Sequence, residues 1–169
     1  ARSTMRIIAG KARGRELRAP RGLKTRPTTD RVREALFSII EARLGLEGAR
    51  VLDLFAGSGA LALEALSRRA ACAICVARAP ACREAIGDTA ERLDMGSELE
   101  ILMLDVERAL PRLAARQERF ELVLLDPPYA LAPWPTVEQL LKLELLTPDA
   151  LVVVEHATRE ESPSTIVGG

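Results

Sequence analysis

The chain has little of the chemistry that builds metal centres or disulfide scaffolds. Its 169 residues include one histidine (His156), three cysteines, one tyrosine and one tryptophan. A lone histidine with Cys72, Cys75 and Cys82 gives no metal-ligand spacing, so no metal is expected. Cys72 and Cys75 are spaced as C-x-x-C, but they fall in a probable strand from Ala71 to Val76. An offset of three turns them to opposite faces of that strand. Reduced, buried thiols in a cytosolic protein are the expectation. No apolar run is long enough to span a bilayer. The basic N-terminus has no apolar stretch after it, so no signal peptide is visible and a cytoplasmic location is expected. There is no repeat and no low-complexity segment.

Net charge is zero, but it is unevenly spread. Residues 1–33 carry eleven Lys/Arg against Glu16 and Asp30, and the remainder carries thirteen basic and twenty-two acidic residues. A basic end on an acidic body suits a polyanion-binding arm, although a solvated tail has the same composition. Arg6-Ile7-Ile8-Ala9-Gly10 and Arg15-Glu16-Leu17-Arg18 flank a turn from Gly10 to Gly14, which predicts a short hairpin with basic side chains. Arg6, Lys11, Arg13, Arg15 and Arg18, with Arg31 beyond, are its candidate phosphate contacts. The expected division is a basic arm over 1–24 and a larger domain over 25–169.

Past the hairpin, Thr29 or Asp30 can cap a helix whose apolar stripe is Val32, Leu36, Ile39 and Ile40, ending at Gly45 and Gly48. Strands then alternate with helices. The strands are expected at Arg50 to Leu54, Ala71 to Val76, Glu100 to Leu104, Glu121 to Asp126 and Ala150 to Glu155. The helices are expected at Ala60 to Ser67, Pro80 to Leu93, Val106 to Arg116 and Val137 to Leu143. Continuous apolar strands between amphipathic helices imply an α/β fold, a parallel sheet covered on both faces.

Two motifs carry chemistry. The first strand runs into Asp53-Leu54-Phe55-Ala56-Gly57-Ser58-Gly59-Ala60-Leu61. Glycines permit a tight turn and a close backbone approach, and the following helix offers free N–H groups. The loop is not a full Gly-x-Gly-x-x-Gly, because the sixth position is Ala62. Asp53 disfavours a pyrophosphate and favours a cationic ligand, which tips the choice from a dinucleotide to S-adenosylmethionine. A purely structural strand-to-helix turn is the alternative. The second motif is Asp126-Pro127-Pro128-Tyr129, after the apolar run Leu122 to Leu125. A carboxylate at such a strand end sits where open α/β sheets bind ligands. The prolines fix φ and leave their carbonyls free to accept, and Tyr129 adds a flat face. An acid, a rigid carbonyl and a ring suit an amino group on a planar heterocycle; a Pro-rich turn after a strand is again the alternative.

Together these segments resemble class I S-adenosylmethionine-dependent methyltransferases. More narrowly, the chain is similar to the bacterial family that methylates the exocyclic N2 of a guanine in small-subunit (16S) ribosomal RNA. The resemblance rests on Arg6-Ile7-Ile8-Ala9-Gly10, Arg26-Pro27-Thr28-Thr29-Asp30-Arg31-Val32-Arg33-Glu34, Val51 to Leu61, Glu64-Ala65-Leu66-Ser67-Arg68 and Asp126 to Tyr129. It implies a Rossmann-like fold and these roles. Asp53, Phe55, Ala56, Gly57 and Gly59 shape the methionine side of an S-adenosylmethionine pocket, and Arg26, Pro27 and Thr28 close over it. Asp105 binds the adenine amino group, with a Val106 N–H beside it. Asp126, Pro127, Pro128 and Tyr129 hold the base. The partner implied is ribosomal RNA or an assembled small subunit, with no membrane and a monomeric enzyme.

The chain departs from the family pattern at Ala77, where an acid usually grips the ribose hydroxyls, at Ala79, and at Thr89, where an asparagine is usual. A missing carboxylate hydrogen bond weakens binding by about ten- to a hundredfold; Glu84 or Arg78 are the candidates to compensate. Glu160 to Gly169 is too polar and too brief for the usual last strand pair, so that pair is expected to be missing. Trp134 is expected to anchor a loop to the core rather than line the base pocket, and His156 to be structural. Three rivals stay open: a DNA adenine-N6 methyltransferase, a non-catalytic RNA-binding protein with a degenerate methyltransferase fold, and, more distantly, a nicotinamide-dependent oxidoreductase.

Overall fold

The computed structural model describes residues 5–22, 29–128 and 131–155, and the backbone of 165–168. Helix α1 (Asp30–Arg43) is followed by β1 (Arg50–Leu54), α2 (Ala60–Ser67), β2 (Cys72–Val76), α3 (Pro80–Arg92) and, after a 3-10 turn, β3 (Leu99–Leu102). Then come α4 (Val106–Ala115), β4 (Phe120–Leu125), α5 (Trp134–Lys142), β5 (Leu146–Val154) and β6 (Thr165–Gly168). The strands form one sheet in the order β3-β2-β1-β4-β5-β6. The pairs among β1 to β5 are all parallel, and β6 runs antiparallel to β5.

This is the α/β architecture the apolar strands imply. Alternation along each strand divides the core into two layers. Val51, Leu122, Leu124, Leu151 and Val153 pack with α1, α2 and α3, whereas Leu52, Leu54, Val123, Leu125 and Val154 pack with α4 and α5. The chain winds outward from β1 to β3 and then returns to place β4 on the other side of β1. The sheet's topological switch point therefore lies between the carboxyl ends of β1 and β4, where ligands bind in open α/β sheets.

Several expected boundaries move, each for a physical reason. Helix α5 starts at Trp134 rather than Val137, because Pro135 falls in its first turn, where no N–H is needed. Strand β5 begins at Leu146, but its regular register with β4 starts only at Leu151, after an irregular stretch holding Pro148. The buried stripe of α1 is Arg33, Leu36, Phe37 and Ile40, whereas Val32 and Ile39 are exposed. The last strand pair is not wholly missing. Thr165–Gly168 pairs with Leu151–Val154, so a short β-branched segment suffices once β5 offers its unpaired edge.

The basic hairpin is a real turn, held by one bridge, Arg6 to Glu16, and by backbone bonds such as Ile7 N–H to the Arg15 carbonyl at 2.9 Å. Its apolar residues Ile7, Ala12 and Leu17 are buried in the core layer of α2. Polar contacts to Glu64, Ser67 and Thr89 help fasten it to the body. The Ile8 N–H donates to both carboxylate oxygens of buried Glu64 at 3.1 and 3.0 Å. The Ser67 hydroxyl donates to the Ala9 carbonyl at 2.6 Å and accepts from the Ala12 N–H at 2.9 Å. The Arg18 N–H donates to the buried Thr89 hydroxyl at 3.1 Å.

Gly10 makes this docking possible. Its φ is +89°, and a Cβ there would lie 1.9 Å from the Ser67 carbonyl oxygen. Gly14 has a φ of +80° but open space around it. Gly14→Ala is expected to cost only the left-handed strain, about 1–2 kcal/mol. Gly10→Ala adds a backbone clash and is expected to cost about 3 kcal/mol or more. Urea midpoints of the two variants, at unchanged slope, check the difference.

Candidate active site

Strand β1 delivers Asp53 and Phe55 to the switch point. Phe55 has a φ of +61°, an uncommon backbone for a non-glycine residue. The turn beyond it closes by a 2.7 Å bond from the Gly59 N–H to the Ala56 carbonyl. Gly57, at φ +56°, has no atom of the described residues within 4 Å of where a Cβ would stand. Gly59 caps α2 at φ +75°, and a Cβ there would meet Ile86 at 2.9 Å. The two glycines thus differ: Gly57 leaves its backbone uncovered by the described residues, and Gly59 lets α2 approach α3.

Asp53 is buried, and its Oδ2 has no hydrogen-bond partner among the described residues. Burial pushes its carboxyl up to about 8; the Ala62 N–H pulls it down and the charge of Asp126 pushes it further up. A buried acceptor without a donor is a costly arrangement. A cationic group entering from the Gly57 side would supply the missing partner.

Asp126 follows β4 directly. The parallel register pairs Leu54 with Leu125, so the next residues, Phe55 and Asp126, are neighbours at the strand ends. Asp126 lies in phase with Leu124, on the same face of the sheet as Asp53. The two prolines do not behave alike. The Pro128 carbonyl accepts from the Leu131 N–H at 2.9 Å, whereas no N–H among the described residues donates to the Pro127 carbonyl. The expectation that both carbonyls are free is corrected here for Pro128, whose carbonyl the turn consumes.

On the far side of Gly57 a cleft of about 210 Å³ is lined by Phe55, Ala56, Ala77, Ala79 and Val106 among others. Ala77 closes the end of β2 with a methyl group, and its N–H goes to the Leu102 carbonyl at 3.0 Å. Arg78 borders this cleft, but Glu84 does not; Glu84 is paired with Arg18 at 3.1 Å. Asp105 caps α4, its Oδ1 accepting from the Arg108 N–H at 2.8 Å. Val106 opens that helix, so its N–H has no partner within it. A larger groove of about 520 Å³ lies on the flank of α3 and β3, away from the glycine turn.

Arg26, Pro27, Thr28, Tyr129 and His156 lie outside the described residues. Trp134 is 48% exposed at the start of α5. Three of the six basic candidates face acids of the protein itself. Arg6 pairs with Glu16, Lys11 with Glu98, and Arg18 with Glu84 and Asp88. Arg15 donates to the Arg92 carbonyl. Arg13 and Arg31 are exposed and take no ion pair among the described residues.

A family model described as conserved hypothetical protein 95 matches residues 5–168. The chain belongs to this family. YlbH of Bacillus subtilis is 37% identical over 163 residues, 96% of this chain and 88% of that protein. The ribosomal RNA small subunit methyltransferase D of Haemophilus influenzae is 32% identical, over 96% of this chain and 83% of its own length. Among solved structures, a hypothetical protein of Thermus thermophilus, TTHA0928, superposes with a TM-score of 0.83 at 33% identity, covering 96% of this chain and 98% of that one. The protein is thus a methyltransferase of the Rossmann-like class I type.

Two groups of this methyltransferase escaped sequence reading. Arg33 is fully buried, bonded to Asp30 at 3.0 Å and to the Arg6 carbonyl. Glu64 is fully buried beside Arg68, which also reaches Glu41 at 3.2 Å. The signals were there: an arginine at i of an i, i+3, i+4, i+7 apolar pattern, and one acid inside an Ala/Leu helix.

Folded, the Asp53 carboxyl keeps its proton up to about pH 8; unfolded, it loses it near 3.8. Between these values the folded state holds more protons, so this group makes stability fall as pH rises. Cofactor-free Asp53→Asn is expected to lose less stability than wild type between about pH 5 and pH 8. Urea unfolding at several pH values measures the difference in slope.

Proposed function

We propose that the protein transfers a methyl group from S-adenosylmethionine to the exocyclic N2 of a guanine in small-subunit ribosomal RNA. The carrying observation is that Asp53 and Asp126 stand on one sheet face at the adjoining ends of β1 and β4, at the switch point. One buried acid awaits a cation, and the next strand end offers acceptors for an aromatic amine. The named activity of the Haemophilus influenzae relative supports ribosomal RNA as the substrate.

The residues fit the cofactor. Asp53, with its orphan oxygen, receives the ammonium of the methionine moiety, and Gly57 leaves the backbone open beside it. The cleft of Phe55, Ala77, Ala79 and Val106 receives the adenosine, with the Val106 N–H and the second oxygen of Asp105 at its rim. Bound there, the cofactor supplies an electrophilic methyl group on a sulfonium. Ala77 offers the ribose only van der Waals contact, so the affinity rests more heavily on Asp53. Arg26, Pro27 and Thr28 stay assigned to closing this pocket.

The N2 amine of guanine is a weak nucleophile because its lone pair is delocalised into the ring. Asp126 and the free Pro127 carbonyl accept its two N–H bonds, which localises the lone pair and turns it towards β1. Catalysis is then positioning and electrostatics. The proton leaves to Asp126 or to water. Pro128 holds the turn through Leu131, and Tyr129 stacks on the unstacked base. Arg13 and Arg31 are the basic side chains with charge to spare for phosphate; Arg6, Lys11, Arg15 and Arg18 must first exchange their protein partners. The reaction is assigned to the cytoplasm, and among the described residues no helix is long and apolar enough to cross a membrane.

Asp126→Asn is expected to lower methyl transfer about a hundredfold or more while leaving cofactor affinity within a few-fold. Tritium transfer from labelled cofactor to small ribosomal subunits and to duplex DNA checks both points; transfer to DNA alone would favour the adenine-N6 reading. Cofactor binding is expected to release a proton at neutral pH, since Asp53 must ionise to meet the ammonium. Affinity should therefore rise towards pH 8 and fall beyond it, where the ligand's amino group, of ordinary pKa about 7.7–8.0, loses its charge. Calorimetry in buffers of different ionisation enthalpy counts the proton, and Asp53→Asn should abolish its release.

A further inference from the structure

Strand β5 brings a third acid to the same sheet edge. Val154 pairs with Leu125, and the Glu155 N–H donates to the Leu125 carbonyl at 2.9 Å, so Glu155 and Asp126 stand side by side at the ends of β5 and β4. Glu155 is in phase with Val153, and Asp126 with Leu124; both belong to the core layer of α1 and α2. The two acids line one narrow crevice with Leu36, Leu61, Leu124 and Val153. No hydrogen bond or ion pair engages the Glu155 side chain among the described residues, although it is only partly exposed. The crevice holds about 10 Å³, room for no more than a water.

We propose that Glu155 selects guanine by accepting the N1–H next to the reacting amine. This rests on the guanine-N2 reading above. The order of the strands carries it: from β1 to β4 to β5 the sheet edge presents the glycine turn, Asp126 and Glu155. Across the Watson–Crick edge of guanine the matching order is incoming methyl, N2 amine, N1–H. Adenine and cytosine also have exocyclic amines, but a bare ring nitrogen follows, and its lone pair would face the Glu155 carboxylate. A carboxylate at this place therefore rewards guanine and repels the other two amines.

The test uses an rRNA fragment whose target guanine has been located by digestion and mass spectrometry, made with guanine or with 2-aminopurine there. The analogue keeps the C2 amine and lacks the N1–H. Wild type is expected to prefer guanine in kcat/KM by about tenfold to a hundredfold. Glu155→Gln should lower the guanine rate by a similar factor and leave the 2-aminopurine rate unchanged or higher, so that the ratio approaches one. Cofactor affinity should stay unchanged, and Glu155→Asp should restore part of the preference. An unaltered ratio in Glu155→Gln, or an equal loss on both RNAs, overturns the role of Glu155. Failure of wild type to form N2-methylguanine in the guanine RNA overturns the parent reading instead.

Discussion

A buried carboxyl group with one unpartnered oxygen among the described residues underlies the whole arrangement. Asp53 is carried into the interior by β1, the central strand of a sheet covered on both faces, and its second oxygen finds no donor among the described residues. Nothing in the packing requires an acid at this point. An apolar residue of similar size would serve the core better, because an unpaired buried acid is among the least favourable things a fold can hold. The glycine turn above it, the open backbone at Gly57 and the cleft beside Ala77 become intelligible as the surroundings of a cationic ligand that completes the pair. A cofactor with both an ammonium and a sulfonium suits an edge where Asp53, Asp126 and Glu155 concentrate negative charge.

The N-terminal arm is part of this construction. Glu64 and Ser67, which hold it, lie on α2, and α2 begins at the glycine turn. Thr89, which takes the Arg18 N–H, lies on α3. The arm is thus bolted to α2 and α3 rather than loosely tethered. Ion pairs with Glu16, Glu84, Asp88 and Glu98 engage Arg6, Lys11 and Arg18 of the arm. Exposed pairs of this kind are weak, and phosphates can replace the acids at little cost.

Much of the fold was legible because its signals are local. Continuous apolar strands, a Gly-x-Gly after the first of them and an amphipathic repeat between the next ones leave few alternatives to a parallel sheet with helices on both faces. The departures occur where a partner decides. Thr165–Gly168 is strand-forming only because β5 leaves an edge for it, and Arg33 is buried only because the Arg6 carbonyl and Asp30 meet it. Trp134, expected to anchor a loop, opens α5 and is half-exposed there. Of the candidate site, Asp53, the glycines and Asp126 could be named from spacing, whereas the unequal fates of the Pro127 and Pro128 carbonyls could not.

By itself the sequence determined the alternation of strand and helix, the position of the glycine turn and the acid that closes β4, since each depends on neighbours within a few residues. Only the tertiary structure decided which acids share an edge. The strand order sets Asp126 between Asp53 and Glu155 although they are far apart in the chain, and that order is fixed by which strands bury their faces together, which no local pattern records.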